Sequence, residues 1–271
     1  TLDLQDTLLV GIPGEHGYQG AFAVLPGGPE GIDDTRDRLT LNPDDGITAW
    51  AQDLAVGDLN GDGRSDLVVG AHSHGFLDES TAWTGSVSLC LARPAGSEEA
   101  WSCVRLSQDE GSLGGVPEQG DALGNALAIG DFDADGYDDV AIASAGEDAG
   151  EDEASGVVYL LRGGPTISPE TRRVLAPGVD GIEDPPGTMG FFGMALASAD
   201  FNADGYADLA IGAHGAGGSG GVYMLYGSVE GLDTFNSRLW LEGDLLGEAR
   251  DGDTFGESLA SGDLDSDGFD D

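Results

Sequence analysis

The sequence predicts an all-β fold, a β-propeller of four-stranded antiparallel blades. Three observations carry that expectation. A short acidic segment recurs four times along the chain. Short strand-like runs of small and aliphatic residues flank the copies. Amphipathic helical periodicity of any length is missing, while glycine, at 47 of 271 residues, supplies the tight turns that many short strands need.

The acidic copies are DLNGDGRSDLVVGA from Asp58, DFDADGYDDVAIAS from Asp131, DFNADGYADLAIGA from Asp200 and DLDSDGFDD from Asp263 to the end. Their starts lie 73, 69 and 63 residues apart, a period in the range of repeat architectures with long connecting loops. A small-residue strand A precedes each copy: DLAVGD, ALAIGD, ALASAD and SLASGD. Strand B is the apolar run that closes each of the first three copies. Strand C follows as SVSLCL, GVVYLL or GVYMLY, and strand D as SCVRL, RRVL or SRLWL. Four antiparallel strands per repeat is the unit of a propeller blade. The blades are expected at about 54–106, 125–175 and 194–241, within a single domain spanning 1–271.

The two ends of the chain complement each other. TLLVGIPGEHGYQGAFAVLPG aligns with strands B and C, and DRLTL with strand D, so residues 7–41 lack strand A. Residues 258–271 supply a strand A and its loop. Two arrangements follow: a ring of four blades closed by pairing 258–271 with 7–41, or a section of a larger propeller. Closure is the one expected, because it removes exposed sheet edges.

Composition excludes some partners. Fifty-one acidic residues face ten basic ones, all arginine, for a formal net charge of −41. Such a surface repels nucleic acid and anionic membranes and attracts cations. No run of eighteen apolar residues is present, so no transmembrane span is expected. The charge has two readings that can both hold, a solvated surface such as a saline habitat favours and a set of metal ligands. Cys90 and Cys103 lie on two runs that read as a hairpin, and an intrachain disulfide is expected between them.

The acidic loops have the chemistry of a calcium site. Counted from the first Asp, positions 1, 3, 5 and 9 are always Asp or Asn, position 6 is always Gly, and position 7 varies. Side-chain oxygens at positions 1, 3 and 5, a backbone carbonyl at 7 and a glycine at the sharp turn suit a hard cation that takes about 6–8 oxygens. The expected ligands are Asp58, Asn60, Asp62, Arg64 and Asp66; Asp131, Asp133, Asp135, Tyr137 and Asp139; Asp200, Asn202, Asp204, Tyr206 and Asp208; and Asp263, Asp265, Asp267, Phe269 and Asp271. Arg64, Tyr137, Tyr206 and Phe269 would act through their carbonyls. About four Ca²⁺ ions are expected. No thiol or imidazole lies in the loops, against zinc or copper. The closing Asp at position 9, followed by a strand, separates these loops from helix-flanked ones that close with Glu at position 12. Asp138 and Asp270, at position 8, read as outer or solvent-facing charges.

At this point the residues resemble a family. Phe192-Gly193 and Phe255-Gly256 before strand A, the acidic loop, and the L-x-x-G-A segments Leu67 to Ala71 and Leu209 to Ala213 resemble FG-GAP repeats. These build the propeller of integrin α subunits and related bacterial surface proteins. The resemblance spans essentially the whole chain. It implies calcium in the loops and an extracellular recognition or adhesion role. The chain departs from the family where His72 and His214 replace the proline, where Trp50-Ala51 and Leu123-Gly124 stand for Phe-Gly, and where Ala143-Ser144 stands for Gly-Ala.

Catalysis finds no support in the sequence. There is no G-x-S-x-G elbow and no assignable Ser-His-Asp set. Carboxylates bound to calcium stay ionised and make poor acids. His72 and His214, at equivalent places, read as loop residues rather than metal ligands. Binding would then fall to the face opposite the acidic loops, where Phe76 and Trp83 sit on a long B–C loop; both equally suit a role in capping the blade's own core. The expectation is an extracellular, non-enzymatic module for a protein or glycan ligand. The alternatives are an accessory propeller of a secreted enzyme and a structural spacer.

Overall fold

The computed structural model describes residues 7–13, 20–26, 40–41, 51–73, 83–97, 100–108, 113–149, 154–185 and 189–271. They form four antiparallel sheets. The first has three strands, β1 (Thr7–Ile12), β2 (Ala21–Pro26) and β3 (Thr40–Leu41), in that order. The second is β4 (Asp53–Gly57), β5 (Asp66–Gly70), β6 (Val87–Ala92) and β7 (Trp101–Leu106). The third is β8 (Leu127–Gly130), β9 (Asp139–Ser144), β10 (Val157–Leu161) and β11 (Arg173–Leu175). The fourth is β12 (Phe192–Ala199), β13 (Asp208–Ala213), β14 (Gly221–Tyr226) and β15 (Asp233–Leu241). Each four-stranded sheet runs A-B-C-D in chain order, the meander of a propeller blade.

The sheets stack face to face, and the core lies between them. β4 lies beside β8, and β8 beside β12. One apolar cluster joins Phe22 and Val24 to Leu67, Val69 and Trp101, across the first and second sheets. A second joins Val68, Val87 and Leu106 to Leu127, Ile142 and Leu161. A third joins Ala141, Val158 and Leu160 to Leu209, Ile211 and Leu225. Strand B of each blade therefore has apolar cover on both faces. This is why LVVG, VAIAS and LAIGA read as continuous runs instead of alternating, and why β5, β9 and β13 are buried along their whole length. Cys90 and Cys103 face each other in the β6–β7 ladder and are joined by a disulfide.

The Phe-Gly and Gly-Ala signatures meet across the seams. Leu123 and Phe192 are fully buried, and their backbone N–H groups donate to Thr84 and Ser155 of the preceding blade. The glycine after each, Gly124 or Gly193, has φ of +83° or +92°, a conformation that disfavours a side chain. Ala51 holds that place in the first repeat, with φ of +65°. The carbonyl of Gly124 faces Gly70 on the preceding strand B, where an added Cβ would stand 2.2 Å from it. Gly212 faces the Gly256 carbonyl in the same way, at 2.0 Å. Both ends of the signature are thus one contact. The variant Gly70→Ala is expected to lose about 1–3 kcal/mol of stability, the usual cost of overpacking. Its urea midpoint, read beside that of the parent, measures this.

The expected pairing of the chain ends is not formed among the described residues. β1 is the edge of its sheet and pairs with β2 alone. Leu8, Val10 and Ile12 remain partly exposed on it. Residues 258–262 instead extend the stack beyond the last blade, where Ser261 Oγ donates to the Ser198 carbonyl at 3.1 Å. Gly262 and Asp271 exchange both backbone bonds, at 3.2 and 2.9 Å. That repeats the first A–B rung of the other blades, Gly57 with Asp66, Gly130 with Asp139 and Ala199 with Asp208. A single rung is too little to make a strand. A five-residue helix, Glu242–Leu246, which no helical pattern announces, follows β15 and ends at Gly247 with φ of +79°.

Candidate metal centre

All four acidic loops have one geometry. The position 1 carboxylate accepts the backbone N–H groups of positions 5 and 6: Asp58 from Asp62 and Gly63, Asp131 from Asp135 and Gly136, Asp200 from Asp204 and Gly205, Asp263 from Asp267 and Gly268. Position 3 accepts the same position 5 N–H through Asn60, Asp133, Asn202 or Asp265. Position 5 accepts the N–H of position 7. All these bonds lie between 2.8 and 3.2 Å. They curl the loop so that its side-chain oxygens converge.

Two positions of each loop adopt left-handed backbone. Position 6 is Gly63, Gly136, Gly205 or Gly268, with φ between +76° and +91°. Position 4 is Gly61, Ala134, Ala203 or Ser266, with φ between +54° and +70°. Position 4 is the second turn residue, and its variable identity hid it in the sequence.

In the second and fourth loops, one oxygen each from Asp131, Asp133 and Asp135, and from Asp263, Asp265 and Asp267, lies within 4.8 Å of the others. Ligands about 2.3–2.6 Å from a shared ion sit at such separations. In the first and third loops the amide oxygens of Asn60 and Asn202 take the same place. The donor set consists of oxygen, with no sulfur or imidazole, and fits a hard divalent cation. Such an ion would supply the charge that lets clustered carboxylates stay ionised together.

Position 9 stands apart. Asp66, Asp139 and Asp208 are buried, and each ties its loop to two strands. Asp66 accepts from Leu59 N–H at 3.1 Å and from Ala92 N–H, at the end of strand C, at 2.7 Å. Asp208 accepts from Phe201 at 3.1 Å and Gly227 at 2.8 Å. Asp139 accepts from Gly163 at 2.8 Å and from Phe132. Asp271 accepts from Leu264 at 3.1 Å. Burial pushes the carboxyls of Asp66 and Asp139 up to about 6, with the charges at positions 5 and 1 adding to the rise and the backbone N–H bonds opposing it.

Adjacent loops are laced together. The position 8 N–H donates to the position 1 carbonyl of the preceding loop, Asp138 to Asp58 at 3.2 Å and Ala207 to Asp131 at 3.0 Å. Asp138 Oδ2 accepts from the Asp58 N–H at 2.7 Å. Asp138 is therefore a half-buried tie between blades, not the outer charge its position suggests. Asp53 does the same nearer the middle of the stack, accepting from Leu127 N–H at 2.7 Å. Neither residue had a local sequence signal, because each partner is 74 to 80 residues away.

A family profile described as the FG-GAP repeat matches residues 50–90, 123–161 and 192–225. Each matched stretch covers one A–B loop and the strands around it. The chain carries FG-GAP repeats on a β-propeller-like fold. Among its curated relatives, mouse integrin alpha-IIb is 35% identical over 172 residues, covering 62% of this chain and 15% of the relative. Drosophila integrin alpha-PS2 is 30% identical over 242 residues, covering 86% of this chain and 15% of the relative. Bovine phosphatidylinositol-glycan-specific phospholipase D is 35% identical over 114 residues, covering 40% of this chain and 14% of the relative. The FG-GAP chain thus spans about 15% of the length of the integrins it matches.

Elsewhere in the FG-GAP chain, His72 and His214 sit beside aromatic rings, Trp83 at 6.3 Å and Phe191 at 4.8 Å. Among the described residues neither joins a group of three metal-ligating side chains. Trp83 is 41% exposed; Phe76, its proposed companion, lies outside the described residues. Asp121 and Glu147 form a carboxyl pair, in which burial and then the Glu147 and Glu118 charges push Asp121 up to about 7. The two side chains are hydrogen-bonded to each other.

Proposed function

We propose that the chain is a calcium-binding recognition module of an extracellular adhesion protein, with no catalytic activity of its own. The observation that carries this reading is the fourfold recurrence of one oxygen-lined loop, each copy held open at the mouth of an A–B hairpin. Calcium at each loop, through positions 1, 3, 5 and 9 and the carbonyl of 7, would pin strand A to strand B. The ions are structural in this reading. A protein or glycan ligand then falls to the opposite face, where the exposed Trp83 offers an aromatic contact. The Cys90–Cys103 disulfide supports an oxidising exterior. The similarity to integrin alpha subunits supports the adhesion role.

A second reading has its own support. The stretch similar to phosphatidylinositol-glycan-specific phospholipase D makes an accessory propeller of a secreted enzyme the alternative.

Equilibrium dialysis against ⁴⁵Ca²⁺ tests the metal assignment. About four ions should bind per chain, at the ligand count the loops provide. Retention of no calcium at millimolar concentration overturns the reading. Glycan and glycoprotein arrays probed with labelled chain, with and without calcium, test recognition. The expected result is calcium-dependent capture that Trp83→Ala weakens.

A further inference from the structure

The four loops share one backbone but not one charge. The first has three carboxylates at positions 1, 5 and 9, and the position 7 arginine, Arg64, ion-pairs with Asp62. The second has carboxylates at all four positions, and Arg162 ion-pairs with Asp133. The third has three carboxylates, and the Asn202 amide donates to Asp204 at 3.0 Å. The fourth has four carboxylates. Among the described residues, no arginine pair is recorded at the third or fourth loop.

Arg162 reaches its loop by strand register. It directly precedes Gly163, whose N–H ties the end of strand C to Asp139. Leu91 and Tyr226 hold the corresponding places before Ala92 and Gly227. Of the three blades with a strand C beside the loop, the one with Asp rather than Asn at position 3 is also the one with arginine at this flank. The Asp133 side chain is 2% exposed and that of Arg162 is 56% exposed. Asp133 Oδ2 has the guanidinium beside it and no hydrogen bond. The arginine therefore covers a buried ligand oxygen from the solvent side with a charge-charge contact, the kind of contact a small cation can replace.

We propose that Arg162 is a tethered counter-ion of the second loop: it neutralises Asp133 when metal is absent and competes with calcium for it. Arg64 plays the same part toward Asp62 in the first loop. The proposal rests on the calcium reading above. Affinity in oxygen-lined loops follows ligand charge and rigidity. Removing the built-in competitor therefore tightens the second site and makes its metal-free state less stable. The loops then fill in sequence rather than together, with the arginine-paired loops last.

Amide NMR during a calcium titration tests this site by site. Gly136 N–H bonds to Asp131 in the second loop, and Gly205 N–H bonds to Asp200 in the third, so each reports one loop. Arg162 is the residue to change, because its carbonyl lies outside the ligand set whereas that of Arg64 does not. Arg162→Gln should move the Gly136 midpoint to calcium roughly 3- to 10-fold lower, the scale of one charge pair, and move Gly205 much less. Arg162→Lys keeps the charge and should stay near the parent midpoint. If calcium moves neither glycine in the parent protein, the calcium reading itself fails. If both respond in the parent and Arg162→Gln leaves Gly136 unmoved, the proposal fails. It also fails if Lys acts like Gln, since packing and not charge would then be responsible.

Discussion

Stripping calcium with a chelator should lower the melting temperature by more than about 10 °C relative to the same protein in millimolar calcium. The loop oxygens converge only in the folded chain. A ligand at a hundred times its dissociation constant adds about 2.7 kcal/mol per site. In a domain of this size, each kcal/mol moves the melting point by about 2–4 °C. One filled loop therefore gives a shift that calorimetry resolves, and several give a large one. The comparison must be made at matched ionic strength. A chain with net charge −41 repels itself, and any salt relieves that by screening. Equal melting temperatures at matched ionic strength would remove the structural role for calcium.

Replacing Asp208 with alanine should destabilise the protein by about 2–6 kcal/mol even without metal. The side chain is fully buried and satisfies two backbone donors, Phe201 N–H and Gly227 N–H. Each buried donor left without a partner costs about 1–3 kcal/mol. Asp208→Asn keeps one acceptor and should cost less. Asp204→Ala provides the contrast, since Asp204 is exposed. Without metal it should change stability little, yet it should abolish the part of the calcium stabilisation that belongs to the third loop. Chemical denaturation of these variants, with calcium and with chelator, separates a ligand that is also a tie from one that is a ligand alone. Identical behaviour of Asp204→Ala and Asp208→Ala in both conditions would contradict that division.

Most of this was legible in the sequence, because the informative signals are local. The spacing of Asp58, Asn60, Asp62, Gly63 and Asp66 marks a loop within nine residues. The apolar runs beside it mark strands, and their repetition marks blades. The four-stranded sheets run β4–β7, β8–β11 and β12–β15. What escaped depends on distant partners. Asp138 looks like surplus charge until Asp58 is placed 80 residues away in sequence and 2.7 Å away in space. Gly70 and Gly124 belong to separate parts of a motif until the stack brings one against the other. The helix Glu242–Leu246 is too short for periodicity to register. Pairing of β1 with residues 258–262 was inferred from complementarity of pattern. Complementary patterns fix what could pair, but not that the two segments lie side by side.

The bonds from the position 8 N–H to the preceding loop set a rule about length. Repeat starts differ by 73, 69 and 63 residues, so the chain adds and removes residues freely elsewhere. In the second and third loops the eighth amide lands on a neighbour's first carbonyl while the ninth residue opens a strand, which holds the nine-residue size. A single inserted residue would throw either loop out of step with the adjoining blade. Engineering of this scaffold should therefore treat the loops as fixed rulers and place new sequence between β5 and β6, or between β7 and β8, where the native repeats already differ in length.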